Sequence, residues 1–180
     1  LPLPSAPLAL ACTPGALLVG TADGAIRAVP ASGAPEVLTE LDAPVVELVA
    51  LPSGFGALDA TGAAWFVATG TTRPLRVPVE ERVTGIFAAG DRLGYRARGR
   101  LGLFGLPRLD KLAQAELPDE IAHVAWSAGA HAALTDTGEA QLFGPALENL
   151  GAVRFPNEGG VLRGLTAGRG GFLAWTDRGV

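Results

Sequence analysis

The residues able to do chemistry in this 180-residue chain are few, and their spacing is informative. Nucleophilic catalysis would need a Ser or Cys beside a base. The four serines are Ser5, Ser32, Ser53 and Ser127, and none lies in G-x-S-x-G. Cys12 is the single cysteine, so there is no intrachain disulfide and no cysteine metal cluster; it reads as a buried structural thiol. His123 and His131 are the two histidines, and a zinc site would need further ligands at an ordered spacing. No G-x-x-x-x-G-K-[ST] phosphate loop occurs, and Gly168-Arg169-Gly170-Gly171 reads as a hairpin loop. Asp23, Asp136 and Asp177 each stand just ahead of a glycine, where turn chemistry explains an aspartate better than acid–base work does. The expectation is a protein that is not an enzyme and uses no cofactor and no metal.

Composition narrows the class of fold that must position these residues. Gly (25) and Pro (14) are in excess, 48% of residues are hydrophobic, and 18% are charged against about 25% in ordinary domains. With a mean hydropathy of +0.32, the chain can bury enough apolar surface to offset its ordering entropy. Many short strands joined by tight turns fit this profile, and a helical bundle does not. The net charge of −4 argues against nucleic acid as a partner, because phosphate binding needs a basic face. No apolar run reaches the ~18 residues that a membrane span requires. The positive charge is almost all Arg (Lys111 is the one lysine), and the excess of Ala, Gly, Pro and Arg points to a GC-rich genome. Met is absent even at position 1, and Leu1 to Leu10 carries no basic segment of the kind that opens a signal peptide. The expectation is a processed product or an excerpt of a longer protein, cytoplasmic location being favoured and secretion kept open.

Internal repetition is the strongest signal. One glycine series closes an apolar run at Gly15, Gly54, Gly90, Gly129 and Gly168, in steps of 39, 36, 39 and 39 residues. A second follows each at Gly24, Gly62, Gly99, Gly138 and Gly179, in steps of 38, 37, 39 and 41. Between paired glycines lies a strand-length apolar run, such as Ala16 to Val19 or Phe172 to Trp175. The second glycine follows Asp, Thr or Arg in an expected two-residue hairpin turn that needs positive φ. A third strand comes next (Ala25–Val29, Ala63–Val67, Arg100–Phe104, Glu139–Phe143), then a more polar outer one such as Pro35–Leu41, Leu75–Val79 or Val153–Phe155. Four strands in about 39 residues cannot bury their faces alone and must stack, which defines a β-propeller blade. An α-solenoid has repeats of similar length but would need helical periodicity, which only Leu109–Leu117 (LDKLAQAEL) shows. The predicted fold is an all-β propeller in one domain over 1–180, with repeats at 7–43, 44–82, 83–120 and 121–160 and a partial fifth at 161–180. Closed propellers run from ~4 to ~8 blades, so the expected ring is incomplete or completed by a partner chain.

The fourth repeat carries a resemblance. Val124-Ala125-Trp126-Ser127-Ala128-Gly129-Ala130-His131-Ala132-Ala133-Leu134-Thr135-Asp136-Thr137-Gly138, followed by Leu142-Phe143-Gly144 and Asn149-Leu150-Gly151, is similar to the repeat of the regulator-of-chromosome-condensation propellers. The other repeats keep the glycine pair and lose the His and the tail. The resemblance implies a propeller, a structural role for His131 in bonding between strands, and a protein that serves as a binding platform. It carries over no active site.

Trp65, Trp126 and Trp175 fall in different repeat slots, which favours packing between blades over a ring of sugar-binding aromatics. Charge placement is the remaining functional signal. The loops between blades hold Glu40, Asp42, Glu80, Glu81, Glu116, Asp119, Glu120 and Glu158, eight of the 18 acidic residues. They are either ordinary solvated loops or an acidic face that attracts a basic partner. Arg96, Arg98 and Arg100 surround the third hairpin turn on that same side, placed to pair with Glu80 and Glu81 or to dock a carboxylate-rich partner. The function expected is a protein–protein interaction or scaffold module within a larger bacterial assembly. The alternative is a secreted propeller acting as an enzyme inhibitor or a carbohydrate-binding module.

Overall fold

The structure is a computed structural model and describes residues 3–127, 129–154, 162–168 and 171–177. Every regular element among them is a strand, and no helix is long and apolar enough to cross a membrane. The first sheet is an antiparallel meander of β1 (Pro7–Cys12), β2 (Ala16–Thr21), β3 (Ala25–Pro30) and β4 (Glu36–Glu40). The second has β5 (Val45–Leu51), β6 (Gly54–Asp59), β7 (Ala64–Ala68) and the two-residue β8 (Leu75–Arg76). The third has β9 (Gly85–Ala89), β10 (Arg92–Ala97), β11 (Arg100–Gly105) and β12 (Asp110–Glu116). The fourth has β13 (Ile121–Ser127), β14 (Ala130–Thr135), β15 (Glu139–Phe143) and β16 (Asn149–Arg154), and a fifth pairs β17 (Leu162–Gly168) with β18 (Gly171–Thr176). The chain divides into two compact units, Leu1–Tyr95 with Phe104–Asp110, and Arg96–Leu103 with Lys111–Val180.

In the first unit, the alternation of side chains across each strand puts one face of the first sheet against the second. Ala9, Leu18, Ile26 and Leu41 from the first meet Val45, Leu48, Phe55, Ala57 and Val67. Burying each such Leu, Val, Ile or Phe contributes about 1.5–3 kcal/mol. In the second unit, Ala125, Ala132, Leu134 and Ala140 of the fourth sheet meet Leu165, Phe172 and Ala174 of the fifth. Small residues let the sheets approach: a Cβ on Gly20 would lie 2.5 Å from Val45 Cγ1, and one on Gly56 would lie 2.7 Å from Leu93 Cδ1.

The hairpin turns depart from the expected two-residue form. In the first, second and fourth sheets the glycine N–H closes back on the residue three before it, Gly24 to Thr21 O (3.1 Å), Gly62 to Asp59 O (3.0 Å) and Gly138 to Thr135 O (3.1 Å). These glycines have φ of 87°, 87° and 85°, the left-handed conformation that follows a type I turn in a longer hairpin loop. Among the described turns between second and third strands, only that of the third sheet is a two-residue loop, Arg98-Gly99, and there Arg98 rather than the glycine takes positive φ (47°). Lys111 to Glu116, inside the segment with helical periodicity, lies in outer strand β12, since an edge strand half in solvent tolerates any polar pattern. The outer strand of the fourth sheet begins at Asn149, earlier than the expected Val153, and Phe155 lies outside the described residues. Cys12 is exposed rather than buried.

Candidate functional site

The loops that join successive sheets are tied to the hairpin turns by repeated backbone hydrogen bonds. Leu41 N donates to Gly24 O (3.0 Å), Val83 N to Gly62 O (2.9 Å) and Leu117 N to Gly99 O (2.6 Å). The far end of a loop is bonded to the next hairpin, as Ala60 N to Pro44 O (2.8 Å) and Asp136 N to Glu120 O (3.0 Å). Leu41, Val83 and Leu117, which make the first set of bonds, are all buried. Each loop therefore carries a buried aliphatic anchor with charged residues close to it in sequence.

In the first unit, Glu40 and Asp42 flank buried Leu41 and are exposed, as is Glu80, while Glu81 is half-buried. Arg82 Nη2 approaches Ala60 O at 3.5 Å, which adds a cation to the same rim. In the second unit, the charged residues are partly committed to the fold. Arg100 Nη2 and Glu116 Oε1 form an ion pair at 3.0 Å. Asp119 Oδ2 accepts from Thr137 Oγ1 at 3.0 Å. Arg96 is half-buried, and its Nη1 donates to Ile121 O (2.8 Å) and also contacts Ala122 O, so it braces the start of β13. Arg98 and Glu120 are exposed. Glu158 lies outside the described residues.

Sequence reasoning missed the residue that organises the hairpins, the Thr or Asp three before the glycine. Asp59 is 4% exposed and holds four bonds. Its Oδ1 accepts from Thr61 N (2.9 Å), Thr61 Oγ1 (2.5 Å) and Ala63 N (3.1 Å), and its Oδ2 from Trp65 Nε1 (2.8 Å). Burial alone would push its carboxyl up, but the bonds from Thr61, Trp65 and Ala63 outweigh that and hold it below the ordinary 3.8. Thr21 and Thr135 do the same work with a hydroxyl: Thr21 Oγ1 lies 2.8 Å from Ala25 O, and Thr135 Oγ1 lies 3.1 Å from Glu139 O and accepts from Glu139 N at 3.2 Å. Asp23 is drawn in as an acceptor for Thr21 Oγ1 (2.5 Å), a bond that lowers its pKa. The signal was present as T-A-D-G, D-A-T-G, T-D-T-G and T-D-R-G.

His131 is fully buried on β14, its ring 4.4 Å from that of Trp126. His123, on β13, is held below the ordinary 6.5 by burial and by the nearby Arg96 charge, against a bond with the Arg163 backbone that raises it. Among the described residues, no three His, Cys, Asp or Glu side chains group as metal ligands.

No protein-family model and no curated protein matches the sequence. Solved structures do match in fold. The computationally designed Ika8 protein superposes with a TM-score of 0.74 at 13% identity, over 93% of this chain and 57% of that one. The WD40 domain of Toxoplasma gondii coronin gives 0.71 at 13%, over 89% and 48%. BBS1N, crystallised in complex with ARL6DN, gives 0.71 at 17%, over 91% and 57%. The chain thus spans about half the length of these neighbours. Four meandering four-stranded sheets, a fifth begun, and neighbours of this kind define a β-propeller fold.

Proposed function

We propose that the chain is a non-enzymatic protein-interaction module, a propeller subunit or domain of a larger bacterial assembly, which binds through its inter-blade loops and hairpin tips. One observation carries this reading: the bonds that build the blades leave Asp42, Glu80 and Glu120 exposed on anchored loops, with exposed Glu40 ending strand β4 and exposed Arg98 in a hairpin turn. Arg98 supports it further. A non-glycine residue at φ 47° costs roughly 1–2 kcal/mol, and such strain concentrates where a side chain has work to do. BBS1N, of similar fold, was crystallised with a protein partner. The finer kinship with the regulator-of-chromosome-condensation repeat rests on residues 124–151, where His131 is buried and Asn149 Oδ1 accepts from Gly151 N at 2.8 Å. Carbohydrate binding draws less support, since Trp65 is held by Asp59 and Trp126 packs on His131.

The test is capture of partners by immobilised wild-type chain and by a variant carrying Glu80→Lys, Glu81→Lys, Glu116→Lys and Glu120→Lys. Loss of a salt-sensitive partner, at least about tenfold or ~1.4 kcal/mol, is the expected result. The same proteins held equally by a folded variant would refute the loop-binding role.

A further inference from the structure

The loop between β12 and β13, which carries half-buried Asp119 and exposed Glu120, is held at both ends. Leu117 N donates to Gly99 O (2.6 Å) and Ile121 N to Arg98 O (3.2 Å), while Glu120 O accepts from Asp136 N (3.0 Å). All these residues lie in the second unit. One further tie comes from a side chain. Arg96 Nη1 donates to Ile121 O at 2.8 Å and also contacts Ala122 O, so a half-buried arginine grips the first two carbonyls of β13. Ile121 is 1% exposed, and a buried acceptor that loses its donor finds little water to replace it.

His123 is joined directly to Ala122. Its imidazole is half-buried and bonds to the backbone of Arg163 on β17, in the next sheet of the same unit. That bond favours the charged ring, so it survives protonation. Among the described residues, the elements packed against β13 bring few other charges. β17 has Arg163, whose exposed side chain pairs with Asp177 at 3.8 Å, and the residues of β18 have none. β14 has His131, buried against Trp126, and places Leu134 opposite His123. In the adjoining loop, Asp119 is bonded to Thr137 Oγ1. On β10, Arg96 is the charge that reaches the ring, and Arg92 belongs to the other unit. Burial first, and then Arg96, hold the imidazole below its ordinary 6.5. Arginine never gives up its proton, so protonated His123 sets two cations close together in a half-buried place.

We propose that Arg96 and His123 form an acid-sensitive clasp: a proton on His123 drives Arg96 off Ile121 O and Ala122 O and loosens the loop that carries Asp119 and Glu120. The group that yields is the one freer to move. The ring is pinned to the next sheet, whereas the guanidinium ends a long flexible chain. The loop then opens at its β13 end, and a partner gripping Glu120 is released in acid. That release rests on the loop-binding reading; the opening itself does not.

Amide hydrogen exchange at about pH 7.5 and about pH 5.5, expressed as protection factors to remove the intrinsic pH dependence, reads the opening. Protection at Ile121 and Asp136 should fall at least about tenfold in acid. Leu41 and Val83, whose amides are bonded to hairpin carbonyls in the first unit, should keep theirs. His123→Gln should abolish the pH response, and His123→Asn is a second neutral variant should the first fold poorly. Arg96→Gln should leave Ile121 weakly protected at both pH values and let the His123 ring, followed by NMR, titrate closer to 6.5. Unchanged protection of the wild type in acid overturns the proposal. So does a fall that persists without His123, an equal fall at Leu41 and Val83, or a ring titration that Arg96→Gln leaves unmoved. Partner capture that survives acid while the opening is observed upholds the clasp and counts against the loop-binding role alone.

Discussion

Asp59 shows how one side chain fixes a hairpin. Its carboxylate satisfies two backbone N–H groups, a hydroxyl and an indole, so Asp59→Ala strands several buried donors at once. A loss of about 2–3 kcal/mol is expected in denaturant unfolding, and Asp59→Asn should lose less. The same group sets an acid limit. Its folded pKa lies below the unfolded 3.8, so its contribution is complete above that value and is lost as pH falls through 3.8 toward the lower folded value. His123 acts at milder pH. Its folded pKa is also depressed, so the unfolded chain takes up the proton first, and stability declines as pH drops below the ordinary 6.5. Midpoints measured from pH 8 to pH 5 should fall in the wild type and flatten in His123→Gln, about a fraction of the ~1.4 kcal/mol per unit that one proton allows. Arg98→Gly makes the opposite kind of prediction. Removing the left-handed strain should raise stability by about 0.5–1 kcal/mol while weakening partner capture.

At the scale of the element, Gly15 and Gly24, one from each glycine series, differ in a way the period does not reveal. A Cβ on Gly24 would meet Leu41 O at 2.1 Å with φ at 87°, whereas Gly15 has open space around it. Gly24→Ala should therefore cost several-fold more stability than Gly15→Ala, which should stay within about 0.5 kcal/mol. Thermal melts of the two variants decide it. The spacing made the strands and their order readable, because 39-residue periodicity and apolar runs are properties of the chain itself. Turn length was not readable: whether Thr21 or Asp59 bonds back across a loop depends on where the two strands come into register. The helical periodicity of Leu109–Leu117 misleads for a related reason, since an edge strand is defined by its neighbour β11 and hardly by its own pattern. Repeat counting put the acids on loops, whereas Glu40 and Glu116 end strands β4 and β12 and Glu158 lies outside the described residues. It could not show that Arg100 would take Glu116, that Asp119 would accept from Thr137, or that Arg96 would brace Ile121 O, because these pairings join segments distant in sequence.

For the whole molecule, stability should behave within each unit as a set of nearest-neighbour junctions between stacked sheets. Core substitutions such as Leu48→Ala and Leu134→Ala lie in different units and should sum, each costing roughly 2–5 kcal/mol in chemical denaturation. Truncating the exposed Leu10 should cost far less. The loops between sheets bear on recognition in another way. Because Leu41, Val83 and Leu117 are buried and their N–H groups are bonded to hairpin carbonyls, the segments that display the acids should exchange those amide protons slowly, although they have no regular structure. A partner meeting Glu40 or Glu80 would find the backbone already in place. Little chain entropy would then be lost on contact, so affinity could be set by charge and shape alone, and complexes would form without an ordering step.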